Sequence, residues 1–440
     1  MSIKPLITAV CVLAMLYTLN VSGNSPVDQN TVANIDLFAV IQKTAEAQRQ
    51  DLINLRRDFH MFPELSGQEV RTAGIVAQRL RDLGLEVRTG VGGHGVVGIL
   101  RGARPGPVVA YRADMDAFPS EIVGEQSYRS QVPGVKHICG HDVHTTVALG
   151  MATVLSSMSA DLPGTVMFIF QPAEEDGTGA LAMLADGVLS NSVPEAIFAM
   201  HTAPVPVGKI VLNSGAGLSA FRNFEVSWTP SAEDDSKAAQ VIKALEAVNT
   251  VQPVAEVVTN PEIMKDLIKE FMTPEGSLTR FRNVQTIHKA GQRLVEVRTK
   301  APTMEQLDEI EAEIKQTVEA LNQTGKGYTL EFTDELPVMR QDQALIGQAR
   351  KPIEAVVGAE GVLISYGAFP YNGEDFSYYL EKVPGAMFFL GVTNEEKGIR
   401  GINHLPDYDV DEESILIGTK SMSGVLLNYL LDSPATITQD

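Results

Sequence analysis

The sequence predicts an α/β protein that carries a smaller inserted α+β domain. Short apolar runs alternate with amphipathic helical segments from residue 35 to residue 213, as in an α/β sheet domain. The pattern changes around Ser214–Gly217, and the α/β pattern returns after Pro337. We therefore expect a larger α/β domain made of two segments, 35–213 and 336–440, with an inserted domain at 214–335 between them.

The N-terminus predicts an export signal. Lys4 supplies a positive charge, and residues 6–19 form an uncharged, mostly apolar run that is short for a membrane span. We predict a signal peptide at 1–23 and a polar linker at 24–34, which makes the protein periplasmic or secreted. An uncleaved N-terminal anchor is the alternative. Beyond this segment we expect no membrane contact.

Net charge and cysteine content limit the partners and the thiol chemistry that we expect of this protein. The formal net charge of −20 argues against nucleic acid and anionic membranes as partners, since phosphate binding needs clustered Lys and Arg. Of the two cysteines, Cys11 lies in the predicted signal, which leaves only Cys139 in the mature chain. A single thiol in an exported protein is expected to be buried or bound to metal.

Apolar periodicity predicts the elements of each segment in order. The segment 35–213 has helices at 35–59, 68–83, 144–158 and 180–189 and strands at 96–100, 108–111, 166–170 and 197–200. The inserted domain has strands at 221–228, 293–299 and 328–332 and helices at 237–248, 261–271 and 304–321. The segment 336–440 has a strand at 386–390 and helices at 341–357 and 412–431.

Potential metal ligands follow the predicted strands. Asp114, the pair Glu174-Glu175 and His201 each come at the end of an apolar run. Open α/β sheets bind ligands at the carboxyl ends of their strands. Carboxylate, imidazole and thiolate groups converging there favour a transition-metal hydrolase.

The run Cys139-Gly140-His141-Asp142-Val143-His144 precedes a predicted helix. Cys139 and His141 share a side of an extended stretch and would bind one ion together. His141 and His144 would share a helical face, so spacing alone leaves open which histidine binds.

Two acidic pairs have alternative interpretations. In Glu174-Glu175, one carboxylate would bind metal while the other moves a proton, although a solvated acidic loop has the same sequence. Glu374-Asp375 either caps a helix or lines the substrate pocket. His404 follows Asn403 in a loop before the last helix.

Several stretches in this order resemble the amidohydrolase branch of the co-catalytic metallopeptidases, which includes aminoacylase, hippurate hydrolase and the plant auxin–amino acid hydrolases. The matching stretches are Arg56–His60 with Pro63–Leu65, Arg112–Asp116, Cys139–His144, Phe168–Glu175, Met200–His201, Gly373–Ser377 and Asn403–His404. They extend from about residue 50 to the C-terminal helix, and the set is far more specific than any one member.

The resemblance implies a three-layer α/β/α catalytic domain with a ferredoxin-like lid that commonly forms a homodimer. It implies two divalent metal ions held by Cys139, His141, Glu175, His201 and His404. It makes Glu174 the general base and acid and places Asp114 behind the metal ligands. In the lid, Asn283 and Arg298 correspond to contacts with the substrate carboxylate.

The chain departs from this family in its lid. Relatives carry a histidine shortly after the first lid strand that stabilises the oxyanion, whereas residues 226–236 here contain none. The loss of one oxyanion donor costs about two to three orders of magnitude in rate. We consider His288 as a substitute donor.

The sequence therefore predicts a metal-dependent amidohydrolase that cleaves N-acyl amino acids or similar small amides, with Glu174 acting on a metal-activated water. An exported metal-binding or ligand-binding relative with impaired catalysis and a dipeptidase are the alternatives. Zinc or manganese suits the ligands, and cobalt or nickel are alternatives.

Overall fold

The structure, a computed structural model, describes residues 29–190, 192–230, 234–323, 325 and 327–432, so the predicted signal peptide 1–23 lies outside it. Its helices are α1 Gln29–Ala47, α2 Arg49–Met61, α3 Val70–Asp82, α4 His141–Ser156, α5 Gly179–Ala185, α6 Asp234–Glu246, α7 Val254–Thr259, α8 Pro261–Phe271, α9 Met304–Asn322, α10 Gln343–Val357, α11 Ser377–Leu380 and α12 Glu413–Asp432. Short 3₁₀ turns lie at Ser277–Thr279, Ala359–Gly361 and Glu395–Lys397.

The strands are β1 Glu86–Val91, β2 Gly95–Arg101, β3 Arg104–Asp114, β4 Phe118–Pro119, β5 Val135–Lys136, β6 Pro163–Gln171, β7 Ala196–Pro206, β8 Ile210–Asn213, β9 Gly217–Leu218, β10 Ala220–Trp228, β11 Asn283–Ile287, β12 Leu294–Ala301, β13 Tyr328–Leu336, β14 Val362–Ser365, β15 Ala368–Phe369 and β16 Gly385–Thr393. No helix within the described ranges is long and apolar enough to cross a membrane.

The larger sheet has eight strands in the order β1-β2-β6-β3-β7-β16-β8-β14. Its centre, from β6 to β16, is parallel, and its strands are almost wholly buried. Helices α1–α4, α10 and α12 supply the apolar core on one face, and α5, α8 and α11 supply the core on the other. Strands that are buried on both faces need continuous apolar sequences, and the predicted apolar runs form these central strands. The predicted α/β fold is therefore confirmed.

The smaller sheet has the order β11-β12-β10-β13, and all its neighbours are antiparallel. Helices α6 and α9 cover one face and close a separate apolar core. The βαββαβ order is ferredoxin-like. We call this unit, β10 to β13, the lid; β11 was absent from our prediction, and the boundaries 214–335 stay a prediction.

Two details at the start of the chain differ from expectation. Helix α1 begins at Gln29, inside the predicted linker 24–34, since no proline or glycine after Pro26 interrupts it. The single helix predicted at 35–59 is divided at Gln48 into α1 and α2, and the Gln48 amide donates to the carbonyl oxygen of Gly150 in α4.

Helices α7 and α8 leave the lid's own core. Residues of α8 and the following turn, such as Phe271 and Leu278, pack with Leu218, Phe389 and other residues of the larger sheet's second face. Helix α8 therefore packs on the larger sheet, with α7 beside it, although both helices are inserted between two strands of the lid.

Candidate metal centre

The candidate site lies where neighbouring parallel strands separate. Strand β3 pairs with β6 as far as Asp114, but it pairs with β7 only as far as Ala199. His201 therefore comes after the last β3 pair, in the middle of β7 rather than at its end as the sequence suggested. Beyond Ala199, strand β7 continues beside β16, which pairs Phe389 with His201. The crevice between β3 and β7 opens toward the metal-ligand candidates.

The Cys139-Gly140-His141 turn enters this crevice at the start of α4. Gly140 has a φ of 94°, and a Cβ atom there would lie 2.3 Å from Thr202 Oγ1 and 2.4 Å from the Tyr408 hydroxyl. Only glycine fits such a position. The tight turn brings the thiol of Cys139 next to the rings of His201 and His404.

Five predicted ligands come together here. Cys139 Sγ lies 3.3 Å from His201 Nε2 and 3.1 Å from His404 Nε2, and Glu175 Oε2 lies 3.5 Å from His404 Nε2. Donor atoms of Cys139, His141 and His201 all lie within 4.8 Å of one another, and so do those of Cys139, Glu175 and His404. Cys139 therefore belongs to both groups of candidate ligands.

The hydrogen bonds of the two histidines of α4 differ. Nδ1 of His141 lies 3.2 Å from Asp116 Oδ1, and its buried Nε2 has no hydrogen-bond partner among the residues that the structure describes. Both nitrogens of His144 are engaged, because Nδ1 lies 2.6 Å from Asp114 and Nε2 accepts from the backbone N–H of Thr202. His141 is therefore the residue that can hold a metal, and His144 supports the site.

Asp114 and Asp116 have separate contacts. Asp114 binds His144 and the guanidinium of Arg112, and it approaches His141 Nε2 only to 3.8 Å. Asp116 contacts His141 and also accepts from Ser66 and from the backbone N–H of Glu175. From their i, i+2 spacing after β3, both Asp114 and Asp116 were candidates either to bind metal or to orient a ligand, and the family resemblance assigned the supporting role to Asp114 alone. In the structure Asp116 also contacts a ligand candidate.

Glu174 and Glu175 face the same cluster from the loop after β6. Glu174 Oε2 and Glu175 Oε1 lie 3.7 and 3.9 Å from His141 Nε2. Glu175 Oε1 is buried and, within the described part of the chain, has no hydrogen-bond partner. Burial, followed by the nearby Glu374, Asp375 and Glu175, raises the pKa of Glu174 well above its usual value.

A buried cluster of ion pairs around Arg112 lies beside the loop that carries Glu174. Arg112 contacts Asp114 at 2.5 Å, Glu374 at 2.9 Å and Asp375 at 2.8 Å, and its Nε donates to Gln171. Asp375 also accepts from the Gln171 amide and from the backbone N–H of Ala180. Both residues of the Glu374-Asp375 pair line the cavity, and Glu374 also accepts from the backbone N–H of Phe376. Arg112 is the buried cation that our sequence prediction did not include.

The donor set fits divalent cations. Burial and neighbouring acids raise the pKa of the Cys139 thiol well above its usual value, and burial raises the pKa of Glu175 to about 7. Burial lowers the pKa of His404 to about 4 and that of His201 well below its usual value, so both rings are neutral at pH 7. A divalent cation would be bound by the neutral imidazoles and the acidic groups. It would also give a partner to His141 Nε2 and Glu175 Oε1, the two buried atoms described above. The site fits two divalent metal ions.

A cavity of about 870 Å³ connects this centre to the lid. Its lining includes Cys139, Glu174, Glu175, His201 and His404 on the catalytic side, and Met264, Ile268 and Phe271 on α8. One concave site with a few polar groups in an apolar lining is typical of a small-molecule binding site.

The two lid residues predicted to contact the substrate carboxylate lie in different places. Arg298 lines the cavity, whereas Asn283 is buried and its amide donates to the carbonyl oxygen of Pro370 at 2.7 Å. His288 lies near Trp228, with Nδ1 2.9 Å from the carbonyl oxygen of Leu294, so this chain does not place it at the cavity. Lys300, which we did not predict, lines the cavity two residues after Arg298.

Comparison with known proteins agrees with this geometry. The family model described as Peptidase family M20/M25/M40 matches residues 110–428. The chain is 30% identical to IAA-amino acid hydrolase ILR1-like 2 of Arabidopsis thaliana, over 94% of this chain and 93% of the relative. It is 31% identical to N-acetylcysteine deacetylase of Bacillus subtilis, over 84% of this chain and 94% of the relative.

Among solved structures, the fold is similar to that of the Bacillus subtilis YXEP protein, described as a dinuclear metal binding peptidase from the M20 family. The TM-score is 0.67 at 28% sequence identity, and the match covers 88% of this chain and 99% of the other.

Proposed function

Because this chain belongs to peptidase family M20/M25/M40 and is a hydrolase of amide bonds, we propose that it releases the amino acid from N-acyl amino acids. The observation that carries the proposal is the buried Glu174 beside five metal-ligand candidates, at one end of a cavity of about 870 Å³. We assign Cys139, His141, Glu175, His201 and His404 as the ligands. Zinc or manganese is the proposed metal, with cobalt or nickel as alternatives.

Glu174 would move the proton in this reaction. Two divalent ions held by these five residues would supply the Lewis-acid chemistry for attack of water on the amide carbonyl. With cations bound, the Glu174 carboxyl would be ionised. It would accept a proton from the water whose oxygen bonds to the carbonyl carbon, and it would give that proton to the leaving amine nitrogen as the C–N bond breaks. The products are a carboxylic acid and an amino acid. Arg112, through Glu374 and Asp375, holds the surroundings of this carboxylate in place.

The apolar wall of the cavity supports a bulky acyl group. Ring contacts connect His201 to Phe389 at 6.4 Å and Phe389 to Phe271 of α8 at 6.2 Å. Met264 and Ile268 line the same cavity on α8. An aromatic or medium-length aliphatic acyl group would bury its apolar surface there, at about 25 cal/mol per Å².

Two further proposals concern the protein as a whole. We propose that it is exported to the periplasm or secreted, on the basis of the apolar run at residues 6–19. We also propose a homodimer through the lid, whose fold corresponds to the dimerisation domain that the resemblance implies. The domain division 35–213, 214–335 and 336–440 belongs to the same proposal.

Amine release from a panel of N-acyl amino acids and dipeptides tests the proposed function, with zinc or manganese added. Wild type should hydrolyse N-acyl amino acids, and Glu174→Gln should lower kcat by about 10²- to 10⁴-fold while it still binds metal. Glu121→Gln, an exposed glutamate, is the matched control. Turnover that requires a free amine would support the dipeptidase instead, and metal binding without turnover of any substrate would support an impaired relative.

A further inference from the structure

One face of the lid sheet covers the cavity. Strand pairing places Phe221 opposite Lys300, Asn223 opposite Arg298 and Glu225 opposite Glu296, and all six residues line the cavity. This is the expected result of strand alternation, because residues two apart on β12 point to the same side. The face therefore presents the charged side chains of β12 toward the metal centre.

Lys300 differs from Arg298 in its partners. Arg298 is about half exposed, and its Nη2 lies 3.4 Å from Glu296. Lys300 Nζ donates to the carbonyl oxygen of Tyr371, and within the described residues it forms no ion pair with a carboxylate. A cation in such a site is stabilised far better by an anion than by a single carbonyl oxygen.

Lys300 provides a positive charge that acts on the metal-ligand candidate His404. Burial and Arg298 lower the pKa of Lys300 to about 8, so that the ammonium still predominates at pH 7. After burial and His141, Lys300 is the third cause that lowers the pKa of His404. The cavity thus has a positive group on its lid side, close to a metal-ligand candidate on its catalytic side.

We propose that Lys300 binds the free carboxylate of the amino-acid half of the substrate, within the same chain that holds the metal centre. This inference rests on the proposed function, since it names the contact that orients an N-acyl amino acid. Asn283 is engaged with Pro370, so its amide is not available for this contact. The apolar wall formed by α8 then receives the acyl half, and the amide bond lies between the two.

Binding to an inactive protein separates this contact from turnover. In the full-length Glu174→Gln background, isothermal titration calorimetry with N-benzoyl-L-alanine would compare Lys300, Lys300→Met and Lys300→Arg. Lys300→Met should raise Kd by about 10- to 100-fold, and Lys300→Arg should restore most of the affinity. The affinity for N-benzoyl-L-alaninamide, which has no carboxylate, should be the same in all three. Lys289→Met, an exposed lysine on the β11–β12 hairpin, is the matched control.

The outcomes distinguish the two proposals. An equal loss of affinity for the acid and the carboxamide, unchanged Kd in Lys300→Met, or no binding of the acid to any variant would overturn the role of Lys300. A wild-type protein that hydrolyses neither compound would instead contradict the proposed function. If wild type hydrolyses both compounds and Lys300→Met keeps the same ratio of kcat/KM between them, the amidohydrolase stands and this contact falls.

Discussion

Asp116 Oδ1 lies 3.2 Å from Nδ1 of His141, and this contact turns the other ring nitrogen, Nε2, toward Glu174 and Glu175. A carboxylate on one nitrogen of an imidazole fixes the tautomer and makes the other nitrogen a better metal ligand. The pair explains why a buried Nε2 without a hydrogen-bond partner is present in the cluster.

Replacing Asp116 with asparagine should weaken metal binding by about 10- to 100-fold, since partners of this kind contribute that much to metal affinity. Competition with a chromophoric chelator measures the affinity of each ion. Asp176→Asn removes a negative charge from an exposed position on the Glu174 loop and serves as the control. Equal affinity in wild type and Asp116→Asn would contradict the assigned role.

His141 and His144 should respond differently to substitution by glutamine. His141→Gln should lower the metal content below two ions per chain, as measured by elemental analysis, because Nε2 is its contribution to the site. His144→Gln should keep both ions but lower the free energy of unfolding by about 1–3 kcal/mol, because two buried hydrogen bonds are disturbed. Denaturant unfolding of the metal-free proteins measures that loss. Loss of an ion from His144→Gln would reverse the assignment.

The KM for N-acyl amino acids should rise with pH. Lys300 is charged below its pKa of about 8 and becomes neutral above it, so carboxylate binding weakens between pH 7 and 9.5. Of its titratable neighbours, His404 has a pKa that burial lowers to about 4, and Tyr371 one that burial raises to about 12, so neither changes charge in this window.

Two comparisons check this assignment of the pH dependence. Lys300→Arg should keep KM flat, because arginine does not lose its proton in this range. The KM of wild type for the matching carboxamide should also be flat. A rise of equal size in Lys300→Arg would attribute the pH dependence to another group.

Ile268→Trp should shift specificity toward small acyl groups. The larger side chain would occupy the apolar wall of the cavity, and we expect kcat/KM for N-octanoyl or N-benzoyl substrates to fall by about tenfold or more, while N-acetyl substrates change little. Ile263→Trp is the matched control, because this residue lies on the same helix but outside the cavity lining. A uniform loss for all acyl lengths would argue against an acyl-binding wall.

Much of the site could be predicted from the sequence because it depends on local order. Apolar runs that end in polar residues identified Asp114, Glu174 and Glu175 at the edge of a parallel sheet, and the Cys139-Gly140-His141 turn marked the start of α4. His404 was also a candidate from its residue type and its loop position, although it lies more than 200 residues along the chain from the other ligand candidates, and the family resemblance then assigned it as a ligand.

The lid was less predictable. Strand β11 and helix α7 were absent from our prediction, and helix α8 was predicted at 261–271 but without its position on the larger sheet. Their destination depends on whether apolar residues such as Phe271 find a surface in the lid or on the catalytic sheet, and that competition has no local signature in the sequence.

The sequence by itself determined the α/β class, the alternation of apolar strands and amphipathic helices, and the chemical identity of the metal-ligand candidates, because periodicity and residue type are local properties. Only the tertiary structure decided between His141 and His144, engaged Asn283 with Pro370 and brought Lys300 to the cavity. Each of these outcomes depends on which donors and acceptors meet across distant segments. Hydrogen-bond partners and burial are set by packing in three dimensions, which spacing along the chain does not record.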